Sequence, residues 1–390
     1  MTGERLMPTY ARLPVTLVRG EGCRVWADDG APYLDLLGGL GALSLGHAHP
    51  RWVAAVTDAA STIGMTTNLV TTMPQARLAD RLASITPVDD ATVFLCNSGA
   101  EANEALLKLV RKNGLAAGRP VVLALDGSFH GRTIATLAAT GQPAKRVPFE
   151  PPVDWIRFIA PGDVAALDAA LAPGDVGAVL LEPILGEGGV VPLAPEYLRA
   201  VRARCNTSGA LFAADEVQTG SGRTGRWLAL EAAEVRPDVV ALAKALGGGL
   251  PIGAVVARAD LAFGPGEHGS TFGGGPVPCA AALAVLDTIV DEGLLDRAGA
   301  LGDRLRAGVA AHPQVTEVRG RGLLIGIDVA TDAARVVAAA RSHGFIVNAT
   351  GPHTVRLAPP LVLGDDEAEA FLAAWPGILD DAVEPDDSAD

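Results

Sequence analysis

The sequence has few aromatic residues, no closely spaced cysteines and no apolar leader at its start. Only 4% of its 390 residues are aromatic while 49% are hydrophobic, so small aliphatic side chains must form the core. The four cysteines lie far apart, which excludes a zinc or paired-thiol motif and indicates reduced thiols, so we expect no metal site. Because no signal-peptide core is present, we expect a cytoplasmic protein.

Positive charge is also scarce. The 31 lysines and arginines are outnumbered by 45 acidic residues, and the net charge of −14 makes nucleic acid and anionic membrane surfaces poor partners.

The longest apolar run, residues 239–257, contains Lys244 and Pro251. A buried charge and a helix breaker argue against a membrane span, and we interpret the run as a buried strand leading into a glycine loop.

Strand and helix patterns alternate through the middle of the chain. Short, almost continuously apolar runs predict strands at residues 92–96, 121–125, 178–181, 211–214 and 239–243, and helices lie between them, for example at residues 101–113 and 195–206. Strands that are apolar on both faces must be covered on both faces. The pattern therefore predicts an α/β fold with a mainly parallel sheet flanked by helices.

The pattern changes after Gly275. Residues 278–311 predict one long helix, and shorter strands and helices alternate beyond it, which predicts a smaller α+β domain. A hairpin-like segment opens the chain. We accordingly divide the chain into an N-terminal segment of the small domain (residues 1–45), a large domain (46–276) and a C-terminal small domain (277–390).

Asp215 and Lys244 are the central candidates for catalysis. Each follows a predicted buried strand, and the C-terminal edge of an open α/β sheet is where ligands bind. A lysine amine forms an imine with pyridoxal phosphate (PLP), and a carboxylate keeps the pyridine nitrogen of that cofactor protonated. A buried salt bridge is the alternative, and it explains the pair better when the pair is considered alone.

A turn of small residues supports the cofactor interpretation. The first of the predicted strands runs into Asn97, Ser98, Gly99 and Ala100, and a predicted helix follows at once. Backbone N–H groups at the start of a helix bind phosphate well. An ordinary helix cap by Asn97 or Ser98 is the alternative.

A second glycine-rich stretch, residues 220–225, matches the pattern G-x-G-x-x-G. A dinucleotide site needs such glycines directly after a strand and at the start of a helix, with an acidic residue about twenty positions further on. Here residues 215–219 intervene between the strand and the glycines, and residues 227–233 follow with no clear second strand, so we interpret these residues as a glycine loop.

Longer motifs occur in an order that is typical of one enzyme family. The stretch LFAADEVQTGSGRTGRW, followed by RPDVVALAKALGGGLPIGAVVA, resembles the signature of the class III (subgroup II) aminotransferases. Similarity to the acetylornithine aminotransferase branch lies in MPTYAR, LVRGEG, YLDLLGG, LGHAHP, NSGAEANEALLKLVRK, FHGRT, ATLAATGQP, LEPILGEGGV, HGSTFGG and RLAPPLVL. The resemblance covers nearly the whole chain and implies PLP as the cofactor and PLP fold-type I, with a seven-stranded-type sheet.

The resemblance also implies which residues bind the cofactor. Lys244 would bind PLP as a Schiff base, and Asp215 would pair with the pyridine nitrogen. Thr271 would reach the phosphate of a partner subunit, so a homodimer with shared active sites is implied. The remaining cofactor contacts would be Ser98, Gly99 and Ala100 at the phosphate, Val217 and Phe129 on the two ring faces, His130 beside Phe129, and Gln218 at the ring hydroxyl.

Two arginines and two glutamates complete the implied site. Arg132 and Arg356 correspond to the carboxylate-binding arginines of the family, and a planar, permanently charged guanidinium suits a carboxylate. Glu187 corresponds to the acid that pairs with Arg356 and moves aside when glutamate binds, and Glu182 to an acid near Gln218. A surface ion pair is the alternative for each arginine considered alone.

The implied activity is transfer of the terminal amino group of an N-acylated diamino acid such as N-acetylornithine to 2-oxoglutarate, as in arginine biosynthesis. Leu43, Val70, Leu185 and Gly275 depart from the family, which usually has asparagine, tyrosine, glutamine and asparagine there. Because the first three replace polar groups by aliphatic ones, an ω-aminotransferase acting on a more apolar amine or amino acid is the alternative. A PLP decarboxylase or mutase is a third hypothesis, since fold and cofactor do not determine the reaction type.

Overall fold

Strands and helices alternate along the chain in the computed structural model, which describes residues 5–150 and 153–383. The strands are β1 Leu17–Glu21, β2 Arg24–Ala27, β3 Pro32–Asp35, β4 Ala91–Cys96, β5 Val121–Leu125, β6 Ile156–Ile159, β7 Val176–Leu181, β8 Ile184–Leu185, β9 Val191–Pro192, β10 Leu211–Asp215, β11 Val239–Leu242, β12 Gly253–Arg258, β13 Val315–Arg321, β14 Leu324–Val329, β15 Phe345–Ile346, β16 Asn348–Ala349 and β17 Thr354–Leu357. The helices are α1 Gly38–Gly41, α2 Pro50–Thr62, α3 Met73–Ile85, α4 Gly99–Ala116, α5 Ile134–Ala139, α6 Pro143–Arg146, α7 Val164–Leu171, α8 Pro195–Ser208, α9 Pro276–Asp291, α10 Leu294–Val309, α11 Ala333–Ser342 and α12 Asp365–Val383. The five strands predicted for the middle of the chain are present as β4, β5, β7, β10 and β11.

Seven strands form the central sheet, in the order β4-β12-β11-β10-β7-β5-β6. Six of them are parallel to one another, and β12 runs antiparallel between β4 and β11. Every residue of β5 and β7 is buried, as expected for strands covered by helices on both faces. The predicted α/β fold with a mainly parallel sheet is therefore confirmed.

Helix α4 shows how the sheet is covered. Its inner face carries Leu106, Leu107 and Val110, none of which is exposed to solvent. Burial of each of these side chains stabilises the fold by about 1.5–3 kcal/mol. This packing fixes the first turn of α4 at the C-terminal end of β4.

The two ends of the chain share a second core. β3 pairs in parallel with β15, with Leu34 opposite Phe345, and a further sheet has the order β13-β14-β17-β16. The side chain of Leu45 belongs to the same buried cluster as Phe371 and Trp375 of α12. This shared core supports our proposal that the N-terminal segment belongs with the C-terminal small domain.

One expectation about local structure was wrong, and one strand was not predicted. The single helix predicted at residues 278–311 is two helices, α9 and α10. Gly293 between them has a φ of +62°, a left-handed conformation that interrupts a right-handed helix. The apolar run at residues 239–257 begins with a buried strand, β11, that leads into the glycine loop as interpreted, and a second strand, β12, follows the loop and pairs antiparallel with β11.

The remaining expectations for these segments agree with the structure. Residues 220–225 form turns after β10, and no helix opens on them, so the interpretation as a glycine loop is confirmed. Within residues 5–150 and 153–383, no helix combines the length and apolarity that crossing a bilayer requires. All four cysteines are buried and unpaired.

Candidate active site

Asp215 and Lys244 lie at the C-terminal edge of the central sheet, on adjacent parallel strands. Asp215 is the last residue of β10, and Lys244 follows β11 after one intervening residue. The strand register places Asp215 opposite Ala241. Asp215 is bonded to other side chains, and Lys244 forms no ion pair within the part of the chain that is described. The alternative of a salt bridge between the two residues is therefore wrong.

Three donors hold the Asp215 carboxylate. Asn103 Nδ2, on α4, donates to Oδ2 over 2.7 Å, and His130 Nδ1 lies 2.7 Å from the same oxygen. The backbone N–H of Val217 donates to Oδ1 over 3.0 Å. Asn103 also donates to the carbonyl of His130, which ties the two partners together. The carboxylate is 3% exposed and is held in one orientation.

Lys244 has an unusual backbone conformation. Its φ of +44° lies in the left-handed region, which costs a non-glycine residue about 1–3 kcal/mol. Burial lowers the pKa of its ammonium group, and Arg356 lowers it further, whereas Glu187, Asp215 and Glu182 act in the opposite direction. A lowered pKa increases the fraction of neutral amine, which is the form that acts as nucleophile and base.

The start of α4 lies beside these two strands. Ser98 is the N-cap residue, and its Oγ accepts a hydrogen bond from the Glu101 N–H over 3.1 Å, so the helix-cap interpretation is correct for Ser98. The first N–H groups of a helix nevertheless lack intrahelical acceptors and remain available to an anion. A Cβ on Gly99 would lie 2.7 Å from Val217 Cγ1 and 3.6 Å from Ala243 Cβ. Only glycine therefore allows the helix to start against the ends of β10 and β11.

Glu182, which follows β7, anchors one wall of the cleft. Its Oε1 accepts from the Phe129 N–H over 2.7 Å and its Oε2 from the Gly186 N–H over 3.1 Å. Burial raises the pKa of Glu182 to about 7, although His130 and the two backbone donors oppose the rise. A Cβ on Gly186 would overlap Gln218 Oε1. Glu182 thus positions a backbone segment that packs directly on Gln218.

Arg356, in β17, and Glu187 form a buried ion pair. Arg356 Nη1 lies 2.6 Å from Glu187 Oε1, and it also donates to Gln218 Oε1 over 3.2 Å and to the Gly186 carbonyl over 3.4 Å. Arg356 Nε donates to Asn348 Oδ1 over 3.1 Å, and Nη2 is buried without a partner. Burial raises the pKa of Glu187, but the charge and hydrogen bond of Arg356, together with the charges of Lys244 and Lys145, bring it below its ordinary value. Arg356 is 1% exposed, so the surface-pair alternative is wrong for this residue.

Arg132 lies at the outer end of the site. It is exposed, and its Cζ lies 5.6 Å from the centroid of the Phe129 ring. It makes no ion pair with any described residue, so the structure does not support the surface-pair alternative here either. Phe129 therefore contacts both groups, Glu182 through its backbone N–H and Arg132 through its ring.

Thr271 stands apart from the other candidates, on an exposed segment between β12 and α9. Asn97 Nδ2 donates to Ser270 Oγ over 3.0 Å, which ties this segment to the start of α4. Thr271 itself is exposed, and the neighbouring Phe272 is 64% exposed. Its contact with the phosphate of a partner subunit stays a prediction.

The four departures from the family pattern lie in different surroundings. Leu185 is 3% exposed in β8 and packs toward Gly127. Leu43 packs against the glycine loop after β11. Val70 is 55% exposed, and Gly275 caps the start of α9. Leu43 and Leu185 are therefore the two departures that pack against segments next to site residues, the loop after Lys244 and the turn before Phe129.

Two polar residues at the site were missed from the sequence. Asn103 lies among buried leucines on the inner face of α4, and a polar residue at such a position was the available signal. Lys145 is half-buried, and its Nζ lies 5.3 Å from the centroid of the Phe129 ring. No periodicity distinguishes Lys145 from a surface lysine, so only the structure reveals its position.

These residues fit PLP. The cleft presents a lysine amine, a buried carboxylate on the adjacent strand and an open helix N-terminus, which match the aldehyde, ring nitrogen and phosphate of that cofactor. His130 Nε2, Asn103 Oδ1 and Arg356 Nη2 are buried polar atoms without a protein partner. These three atoms belong to residues that contact Asp215 or Gln218, where a bound group can satisfy them.

Comparison with known families agrees with this geometry. The model of the family described as Aminotransferase class-III matches residues 7–379. The chain therefore belongs to the class-III aminotransferases, and it is a PLP-dependent aminotransferase of fold-type I.

Individual proteins are similar over nearly the whole chain. The acetylornithine aminotransferase of Streptomyces coelicolor is 52% identical over 386 residues, covering 97% of this chain and 94% of that protein. The solved structure of the ornithine aminotransferase from Toxoplasma gondii superposes with a TM-score of 0.92 at 35% identity, covering 96% of this chain and 92% of that one. The N-acetylornithine aminotransferase structure from Stenotrophomonas maltophilia superposes with a TM-score of 0.82 at 35% identity, covering 95% and 97%.

Proposed function

We propose that this aminotransferase moves the terminal amino group of N-acetylornithine, or of a similar N-acylated diamino acid, to 2-oxoglutarate and so forms glutamate. The observation that carries the proposal is the buried pair of Arg356 and Glu187, 2.6 Å apart. Arg356 is a cation whose counterion, Glu187, can move away. Such a pair suits an enzyme that binds the neutral acyl end of the amino donor in one half-reaction and the second carboxylate of glutamate or 2-oxoglutarate in the other. The 52% identity with an acetylornithine aminotransferase supports the same donor.

The proton transfers are assigned to Lys244. PLP, when bound, withdraws electrons from the substrate carbon that carries the amino group. Lys244 Nζ, whose pKa burial lowers, would take the proton from that carbon and deliver it to the cofactor carbon bonded to the same nitrogen. Asp215, oriented by Asn103 and His130, keeps the pyridine nitrogen protonated. The N–H groups at the start of α4 hold the phosphate.

The remaining cofactor contacts form the walls of the cleft. Val217 and Phe129 are assigned to the two faces of the pyridine ring, where their apolar surfaces exclude water. Gln218 Oε1 already accepts from Arg356, which leaves its amide nitrogen to donate to the ring oxygen.

The two half-reactions require Arg356 and Glu187 to exchange partners. While the donor is bound, Glu187 neutralises a guanidinium that is almost fully buried, where an unpaired charge would be costly. When glutamate or 2-oxoglutarate enters, its second carboxylate takes the place of Glu187 on Arg356. Arg132 is assigned to the carboxylate that both substrates carry.

We also propose a cytoplasmic homodimer with shared active sites. Asn68 Nδ2 donates to the carbonyls of Ser270 and Gly273, both over 2.9 Å, so two exposed segments form one surface. Exposed apolar side chains on that surface are unfavourable in water unless a partner covers them. They are Leu69, Val70, Met73 and Phe272. Thr271 lies within the same surface, as its assignment to the phosphate of the partner requires.

An ω-aminotransferase on a more apolar donor is the alternative. Leu43 and Leu185 supply no hydrogen-bonding groups to a substrate amide, and a site without such partners discriminates against polar ends.

A panel of donors distinguishes these functions. We expect glutamate formation from 2-oxoglutarate with N-acetylornithine to have a kcat/KM at least about tenfold above that with ornithine or hexylamine. A faster reaction with hexylamine than with N-acetylornithine would contradict the proposed function and favour the ω-aminotransferase. Release of carbon dioxide without formation of glutamate would indicate a decarboxylase. If N-acetylornithine reacts poorly, the combined change Leu43→Asn, Val70→Tyr and Leu185→Gln should increase its rate.

A further inference from the structure

Lysine is rare in this chain, and two of its four lysines lie at the active site. The 31 basic residues include only Lys108, Lys112, Lys145 and Lys244 as lysines. Lys108 and Lys112 are exposed on α4, where Lys112 pairs with Glu267. Lys145 is half-buried beside the Phe129 ring, and none of the roles assigned above uses it.

A short anchored segment places Lys145 beside Phe129. Gln142 Nε2 donates to the carbonyls of Gly127 and Ser128, over 3.2 and 3.4 Å, and these two residues directly precede Phe129. Gln142 Oε1 in turn accepts a hydrogen bond from Lys145 Nζ. The ammonium is therefore tied to the same turn that carries the ring, at 5.3 Å from the ring centroid.

Arg132 approaches the same ring, with its Cζ 5.6 Å from the centroid. A single cation near an aromatic face is favourable, but two neighbouring cations repel each other. Neither Arg132 nor Lys145 makes an ion pair with any described residue, whereas Arg356 pairs with Glu187. Two unpaired cations that converge on one ring form a site for an anion.

The charged groups around Lys145 come from several elements. Burial lowers the pKa of Lys145 below its ordinary value, and Arg132 and Arg356 lower it further, while Glu187 and Glu182 raise it. Glu187 is already paired with Arg356, and Glu182 accepts two backbone hydrogen bonds. Neither of these two carboxylates is therefore free to neutralise Lys145 and Arg132.

We propose that Lys145 and Arg132 together bind one carboxylate of the amino-acid and oxo-acid substrates. Arg132 supplies a planar fork, and Lys145 adds a point charge held in place by Gln142. The inference rests on the proposed use of glutamate and 2-oxoglutarate. It makes Lys145 a substrate-binding residue, so its loss affects KM much more than kcat.

Kinetics of Lys145→Gln test this role in the PLP-loaded enzyme. Loss of a charged hydrogen bond should raise the KM for glutamate by about tenfold to hundredfold and leave kcat within about threefold. Lys145→Arg should restore most of the affinity. The half-reaction with hexylamine, which has no carboxylate, should be unchanged. Lys112→Gln, which removes another lysine near an aromatic ring, is the matched control and should behave as the native enzyme.

A binding measurement without turnover gives an independent readout. After reductive 13C-methylation, which keeps the charge, the few lysine signals can be assigned by their absence in Lys145→Gln. Glutarate, an unreactive dicarboxylate, should shift the Lys145 signal and raise its titration midpoint, because a bound anion favours the charged form. An unmoved signal, or an unchanged KM for glutamate in Lys145→Gln, would overturn the inference. If N-acetylornithine fails as the amino donor but Lys145→Gln still weakens glutamate binding, only the proposed donor is rejected.

Discussion

Replacing Glu187 by alanine removes the counterion of a buried arginine. Arg356 is 1% exposed, and without Glu187 its guanidinium keeps three neutral acceptors, on Gln218, Gly186 and Asn348. The variant therefore contains a buried charge that only an incoming carboxylate can neutralise. We expect Glu187→Ala to bind glutamate and 2-oxoglutarate more tightly and to lose preference for the amine donor.

The magnitude follows from the burial of the pair. Removing one partner of a fully buried ion pair costs about 3–5 kcal/mol. The Glu187 side chain is 26% exposed and three acceptors remain on Arg356, so the effective cost is lower, about 1–3 kcal/mol. A substrate carboxylate that binds Arg356 recovers that energy. At about 1.4 kcal/mol per factor of ten, the Kd of 2-oxoglutarate should fall about fivefold to hundredfold.

Stopped-flow measurement of each half-reaction, with the absorbance of the cofactor as reporter, provides the assay. Arg356→Ala should weaken the glutamate half-reaction much more than the donor half-reaction, which is the opposite of Glu187→Ala. Glu196→Ala, which removes an exposed partner of Arg199, is the control and should change neither. Weaker binding of 2-oxoglutarate by Glu187→Ala, or equal losses in both half-reactions for Arg356→Ala, would refute the exchange of partners.

Acid should reproduce the effect of Glu187→Ala. Burial raises the pKa of Glu187, but Arg356, Lys244 and Lys145 together lower it by more, so the carboxyl titrates below the ordinary value of about 4.3. The ion pair is therefore intact above that value and is lost as the pH falls through the lowered pKa. Between about pH 6 and pH 9, titration of Glu187 should not change the balance between the two substrates.

The remaining predictions concern the cofactor site and the dimer. Lys244→Ala should lose turnover, and borohydride should fix the cofactor of the native protein to the single peptide that contains Lys244; labelling of another lysine would contradict this. Asp215→Asn should still bind PLP but turn over on the order of a hundredfold more slowly, and a near-native kcat would exclude the proposed role. Asn103→Ala removes one donor to Asp215 and should lower kcat by about tenfold, as measured by steady-state kinetics. Mixing Lys244→Ala with Thr271→Ala should restore one site per hybrid dimer, whereas an active monomer in ultracentrifugation would rule out the shared site.

Features that depend on short stretches of chain could be predicted from the sequence. Near-continuous apolar runs predicted β5 and β10, and small residues after a strand predicted the open start of α4. The same local reasoning failed at Gly293, because a glycine within a helical pattern either continues the helix or interrupts it. It also failed for β12, because a long apolar run does not show where the chain reverses.

The sequence by itself determined which residues end the parallel strands, and therefore that Asp215 and Lys244 meet at one edge of the sheet. Strand periodicity and strand direction are local properties, and the edge follows from them. Tertiary structure alone decided the partners of each group. Asn103 reaches Asp215 across 112 positions and Arg356 reaches Glu187 across 169, while Lys145 approaches Phe129 through the anchor on Gln142. Such contacts depend on how helices and sheets pack against one another, and no local pattern of residues predicts that packing.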